Sequence, residues 1–257
     1  REDEQPVQKD IRPSSHTHLY NVVDGIFVGQ GVGSAALGAV NIGVPFITFA
    51  VAVAAMFPMG GGTVVAIRMG REDREGANHA FMTAFLLTLL ASLLLTLIGM
   101  AFSRQIVDLS GGRTLSHTMR DMAADYLFYY CAFSVPMLMS TCLSVFVRND
   151  GSPTLSFVGM CVGAGANIFL DWLFIFPMKM GVIGAAIASG LGQVFSVAVL
   201  LSHFVRKRGS LRFQRFPVSG ALVGKICKRG VPEAASQLTT PVTALCYNLM
   251  LAKLVGD

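Results

Sequence analysis

Apolar residues in this chain do not alternate with polar ones; they run in long blocks with the charges confined between them. The blocks are Ala35–Ile67, Ala77–Phe102, Ala123–Val147, Thr154–Met178, Gly181–Val205 and Val231–Val255. A bilayer core is about 30 Å thick and needs roughly 20 apolar residues at 1.5 Å rise each, so each block predicts one membrane-spanning helix. Barrel strands need only about 9–11 residues of alternating pattern, which excludes them. Ala35–Ile67 is longer than a bilayer requires and holds Pro45, Pro58 and Gly60-Gly61-Gly62, which predicts one helix, bent or broken, whose end projects into the cytoplasm. Leu19–Gly29 is apolar but covers only half a span, and residues 1–18, with Pro6 and Pro13, read as a polar tail.

Composition agrees with the pattern. Of 257 residues 53% are hydrophobic and 14% charged, where a soluble domain carries about a quarter charged. A net charge of +5 raises the question of nucleic acid, and Arg206-Lys207-Arg208 with Arg212, Arg215, Lys225, Lys228 and Arg229 sharpens it. That cluster directly follows an apolar block, however, as a cytoplasmic anchor does, because Lys and Arg are retained on the cytoplasmic side during insertion. If the spans alternate, those eight share one side with Arg68, Arg71, Arg74 and Arg148, against Arg104, Arg113, Arg120 and Lys179 opposite. Twelve against four predicts that the first set, and the N-terminus with it, is cytoplasmic. Tyr126, Tyr129 and Tyr130 then fall at the outer end of their helix, where an aromatic belt is expected. The five scattered cysteines offer neither a disulfide framework nor zinc spacing, and His16 and His18 lack further ligands.

A faint repeat points to duplication. Tyr20-Asn21 precedes Val28-Gly29 at the spacing by which Tyr247-Asn248 precedes Val255-Gly256, in the first and seventh apolar segments, as a six-plus-six transporter requires.

Ionisable groups inside a membrane are costly, which makes them functional candidates. Asp24 lies in the short first segment and Asp171 deep in Thr154–Met178. Asn167 precedes Asp171 by one helical turn, so amide and carboxylate share a face. Their oxygens suit a small hard cation, or the carboxyl suits proton carriage; the alternative is a packing hydrogen bond to a neighbouring helix. Gly181, Ala185 and Ser189, beside Gly184, Ala188 and Gly192, form a small-residue face fitted to close helix packing, with Ser189 either a ligand oxygen or a packing serine. Enzyme readings fail on local sequence. Asp171 follows Ile-Phe-Leu and Asp24 follows Asn-Val-Val, not the Gly-x-Gly of membrane aspartyl proteases, and no rhomboid-type Gly-x-Ser-Gly occurs. Gly29-Gln-Gly31-Val-Gly33 has no preceding strand and Ser34 at the sixth position, so it is no dinucleotide loop.

Several motifs in order carry a family resemblance. Leu19-Tyr-Asn-Val-Val-Asp24-Gly-Ile-Phe-Val-Gly29 and Ala39-Val-Asn41-Ile-Gly-Val-Pro45-Phe resemble the first two helices of MATE (multidrug and toxic compound extrusion) exporters, closest to their DinF/MepA-like branch. Arg148-Asn-Asp-Gly151-Ser-Pro153 is similar to that family's signature between helices four and five, Asn167-Ile-Phe-Leu-Asp171 to its fifth helix, Gly181-Val-Ile-Gly-Ala-Ala to its sixth, and Gly230-Val-Pro-Glu to the start of its seventh.

The resemblance implies an all-α, multi-pass bundle: the six-helix N-terminal lobe of a twelve-helix transporter that exchanges organic, often cationic, drug-like molecules for Na⁺ or H⁺. It divides the chain into the tail 1–18, the lobe 19–205 with its first helix incomplete, a basic cytoplasmic linker 206–230, and 231–257 as the first helix of a C-terminal lobe otherwise missing. It implies a coupling-ion site of Asp24, Asn167, Asp171 and Ser189, the last standing where the family usually has Thr. The first three would ligate Na⁺ if Na⁺ is the ion, and no other cofactor is expected. The expected partners are small drug-like substrates and the lipid bilayer, with no nucleic acid, and the expected location is the cell membrane, the inner membrane of a bacterium. Lipid or lipid-linked-sugar flipping, or a non-transporting remnant, are the alternatives. A single lobe lacks one wall of the cleft, so this stretch by itself is expected not to transport.

Overall fold

The computed structural model describes residues 29–30, 34–112, 116–214 and 219–255, with side chains omitted for 34–37 and 240–255. Asp24 and the first copy of the repeat lie outside the described residues. Among the described residues eight helices follow one another: α1 (Ser34–Gly70), α2 (Arg74–Ala101), α3 (Ser103–Leu109), α4 (His117–Ala132), α5 (Ser134–Asn149), α6 (Pro153–Ile175), α7 (Gly181–Val205) and α8 (Gly220–Val255). No strand occurs among the described residues.

Local chemistry sets the boundaries. Asp73 caps α2 by accepting the Gly76 amide at 2.9 Å, while Arg68 donates to the Gly76 carbonyl at 2.6 Å, which fixes the α1–α2 turn. Pro153 opens α6, where its missing N–H costs nothing. α1 runs as one helix through Pro45 and Pro58. The block Ala123–Val147 does not: α4 and α5 meet at 47° across Phe133. Pro136 explains the break, since it cannot donate to the carbonyl of Ala132 and its ring collides with it. Ser134, just past the break, ties it to α2 by donating to the Ser92 carbonyl at 3.1 Å, with Thr96 Oγ1 2.6 Å from its hydroxyl.

Four described helices, α1, α2, α6 and α7, are long and apolar enough to cross a bilayer, and α4 with α5 makes a fifth span if counted as one. The most apolar windows of α1, α2 and α6 are only 22–28% buried within the protein. Outward-facing Leu90, Leu94, Leu97 and Phe169 would be untenable in water and are ordinary against lipid. The chain is thus a multi-pass helical membrane bundle.

The three most basic loops converge on one end. Asp150, between α5 and α6, accepts from Ser210 and Leu211 beyond α7, and Asn78 at the start of α2 accepts the Arg212 amide at 2.6 Å. Beneath them lies the largest core, where Phe81 stacks on Phe204 at 5.2 Å and meets Phe146 edge-on at 4.9 Å, with Leu200, Leu211 and Ile226 buried alongside. Of the three tyrosines expected in a belt, Tyr126 is buried against Ile175, Val182 and Ala185, and Tyr129 and Tyr130 are partly buried against the same cluster. α8 also starts earlier than its apolar block. Its first turns send Leu222 and Ile226 into the core, and Gly60 of α1 and Gly230 of α8 lie so close that a methyl on Gly60 would overlap the Ile226 carbonyl and one on Gly230 the Met56 carbonyl.

Gly230→Val is expected to destabilise the fold by about 1–3 kcal/mol, the scale of overpacking. The midpoint of unfolding by denaturing detergent would measure it, and an unchanged midpoint would refute this backbone contact.

Candidate ion-coupling site

The site is built on the seam between α6 and α7. On α6, Ser156, Gly159, Gly163, Asn167, Asp171 and Ile175 are buried, a stripe recurring about every four residues along one face. The opposite face turns Phe157, Phe169 and Trp172 outward. Small residues on both helices set their separation: a methyl on Gly192 would stand 2.7 Å from the Gly163 carbonyl and 3.0 Å from Asn167 Cβ, and one on Gly163 would stand 3.0 Å from Ser196 Cβ. Such backbone proximity lets the short side chain of Ser189 reach across.

Asn167 Nδ2 donates to Ser189 Oγ at 3.2 Å, with both residues buried. Asn167 Oδ1 is buried and accepts no hydrogen bond among the described residues. Asp171, one turn further along the same stripe, is fully buried. Three of the four expected site residues are therefore gathered on one seam, while Asp24 lies outside the described residues. An amide oxygen, a hydroxyl oxygen and a carboxylate in a buried seam form a hard-oxygen set, able to hold a small cation or to exchange a proton at the carboxylate.

Two features were not read from sequence. Phe133, at the α4–α5 break, packs where a side chain on Gly190 would have to stand, so the kink abuts the residue next to Ser189. Pro136 within an apolar block was the available signal for that break. At the basic end Asp150 and His203 form a buried pair, Nε2 to Oδ2 2.9 Å, with side chains 1% and 0% exposed. An ionisable residue at each end of adjacent apolar blocks hinted at it, but spacing alone could not pair positions so far apart.

Comparison with known proteins places this arrangement. The family model MatE matches residues 16–173. The chain is 26% identical over 238 residues to the multidrug export protein MepA of Staphylococcus haemolyticus (strain JCSC1435), covering 91% of this chain and 52% of that protein. Among solved structures it resembles MATE in complex with MaD3S, with a TM-score of 0.85, 26% identity and coverage of 93% of this chain and 54% of the other. It also resembles the inward-facing conformation of a multidrug resistance MATE family transporter of the MOP superfamily, with a TM-score of 0.81, 27% identity and coverage of 89% and 51%. The chain spans about half the length of the curated relatives it matches. With the family model covering more than half of its residues and the α6–α7 seam set in a fold shared with MATE structures, the chain belongs to the MatE family of membrane transporters.

Proposed function

We propose that the chain forms the first lobe of a secondary antiporter of the cell membrane, exporting organic, often cationic, drug-like molecules in exchange for Na⁺ or H⁺. The observation that carries the reading is the buried set Asn167, Ser189 and Asp171 on the α6–α7 seam. Asp171 is the coupling acid, Asn167 and Ser189 hold the oxygens around it, and Asp24 completes the set. No Lys or Arg lies within the interiors of the described spans, so the acid keeps its attraction for a cation.

Coupling follows from that chemistry. A cation or proton taken up at Asp171 neutralises a charge held in a buried seam, which changes the relative free energy of the two states of the transporter. Whatever favours one state at this seam disfavours ligands of the other by the same factor, so ion and drug are linked without meeting. The basic end and the N-terminus are assigned to the cytoplasm on the twelve-to-four distribution of Lys and Arg.

Three measurements follow. The thermal unfolding midpoint of the purified chain is expected to rise with Na⁺ relative to a large organic cation, or to shift with pH if the ion is H⁺. Asp171→Asn should remove that dependence while leaving the midpoint without the ion nearly unchanged. A wild-type midpoint indifferent to both Na⁺ and pH would sink the coupling assignment. Second, Ser189→Ala leaves the Asn167 amide unpaired in the seam and is expected to cost about 1–3 kcal/mol, whereas Ser189→Thr keeps the hydroxyl and should cost far less. Equal loss in both would show that the hydroxyl is not what matters. Third, in a background without native cysteines, Arg208→Cys should resist an impermeant thiol reagent in intact cells and react once the membrane is permeabilised. Labelling from outside would invert the orientation.

A further inference from the structure

The chain leaving α7 is held in place by its own backbone. The Lys207 amide donates to the Phe204 carbonyl at 3.1 Å and the Arg208 amide to the His203 carbonyl at 3.2 Å, closing the helix with Lys207 at φ 51°. In this left-handed region a side chain is strained and glycine is not. Past the turn, Asp150 takes over. Its Oδ1 accepts the Ser210 amide at 2.7 Å, the Ser210 hydroxyl at 2.8 Å and the Leu211 amide at 3.2 Å, while its Oδ2 faces His203 Nε2 at 2.9 Å. Leu211 is buried in the core and the Arg212 amide is bound by Asn78.

The turn Arg206–Lys207–Arg208 is therefore pinned before and after, while all three side chains are exposed. None of the three makes an ion pair among the described residues. Exposed hydrocarbon flanks the cations on both sides in sequence: Val205 is 79% exposed, and Phe213, whose ring packs on Phe81, Phe85 and Phe204, still leaves 43% of its surface exposed. Three cations without ion pairs among the described residues, on a rigid turn bordered by exposed apolar surface at the end of a membrane-spanning helix, match the phosphate layer of a bilayer with acyl chain just beneath. A free phosphate would use the cations but gain nothing from Val205 and Phe213.

We propose that the turn Arg206–Lys207–Arg208, set by the buried Asp150–His203 pair, is a seat for the headgroups of anionic phospholipids. Each such cation near an anionic surface favours association roughly fivefold, so three together supply on the order of a hundredfold.

Quenching by brominated lipid tests this directly. Phe213→Trp in a Trp172→Phe background puts the reporter beside the turn, and the chain is reconstituted in bilayers containing brominated phosphatidylglycerol or brominated phosphatidylcholine. The expected result is a clear preference for phosphatidylglycerol that largely disappears in Arg206→Gln/Lys207→Gln/Arg208→Gln, persists in Lys225→Gln/Lys228→Gln/Arg229→Gln, and is not displaced by excess inorganic phosphate. Equal quenching by the two lipids overturns the proposal, as does a preference that survives the first triple variant, moves with the second, or yields to phosphate. Should the first triple variant fail to fold, Lys207→Gly relieves the strained φ and is expected to fold while lowering the preference several-fold; an undiminished preference there also overturns it.

Discussion

A bilayer gives a helix no hydrophobic reason to prefer a protein neighbour to a lipid tail, so this bundle depends on how closely backbones can approach. The closest approaches are the α6–α7 seam through Gly163 and Gly192 and the crossing of α1 with α8 at Gly60 and Gly230. Neither leaves room for a methyl group. Dispersion contacts there replace the water-driven burial of a soluble core, and a gap of about 0.5–1 Å already forfeits a quarter to a half of each. The candidate site inherits its dimensions from the first of these contacts, because Ser189 can serve Asn167 only while the glycines keep the two helices in register.

Polar groups follow a second rule in the same medium, since any group unpaired in hydrocarbon is costly. Thr83 and Thr88 turn back to carbonyls on their own helix at 2.8 Å. Ser140 donates to Ser196 at 3.0 Å, and Ser144 pairs with Ser156 at 2.7 Å, so hydroxyls join neighbouring helices at intervals along their length. The exceptions among the described residues include the buried amide oxygen of Asn167 and Oδ1 of Asp108, neither of which accepts a hydrogen bond there.

Much of this was legible in the sequence. Blocks of apolar residues gave the helices because continuous hydrophobicity over that length has no other stable outcome in a bilayer, and the i, i+4 spacing of Asn167 and Asp171 put them on one face by geometry alone. The small-residue face of α7 announced close packing but not its partner, which only the matching stripe on α6 supplies. The bend at Phe133 escaped because hydropathy does not register Pro136, whose effect is steric. The early start of α8 escaped for the opposite reason: charges at Lys225, Lys228 and Arg229 read as linker, though Leu222 and Ile226 on the other face belong to the core. The Asp150–His203 pair joins positions remote in sequence, where periodicity carries no information.

Pinning the chain at Asp150 and Asn78 also sets a length. Phe213 is seated against Phe81, Phe85 and Phe204. From there to Gly220 the chain can stretch to no more than ~25 Å, at about 3.6 Å per residue. However α8 shifts, its first residue stays within that radius of the aromatic cluster, as a boat stays within the scope of its mooring line. The connection thus sets a bound on amplitude: α8 can tilt and slide against the helices it packs on, but its start cannot leave them.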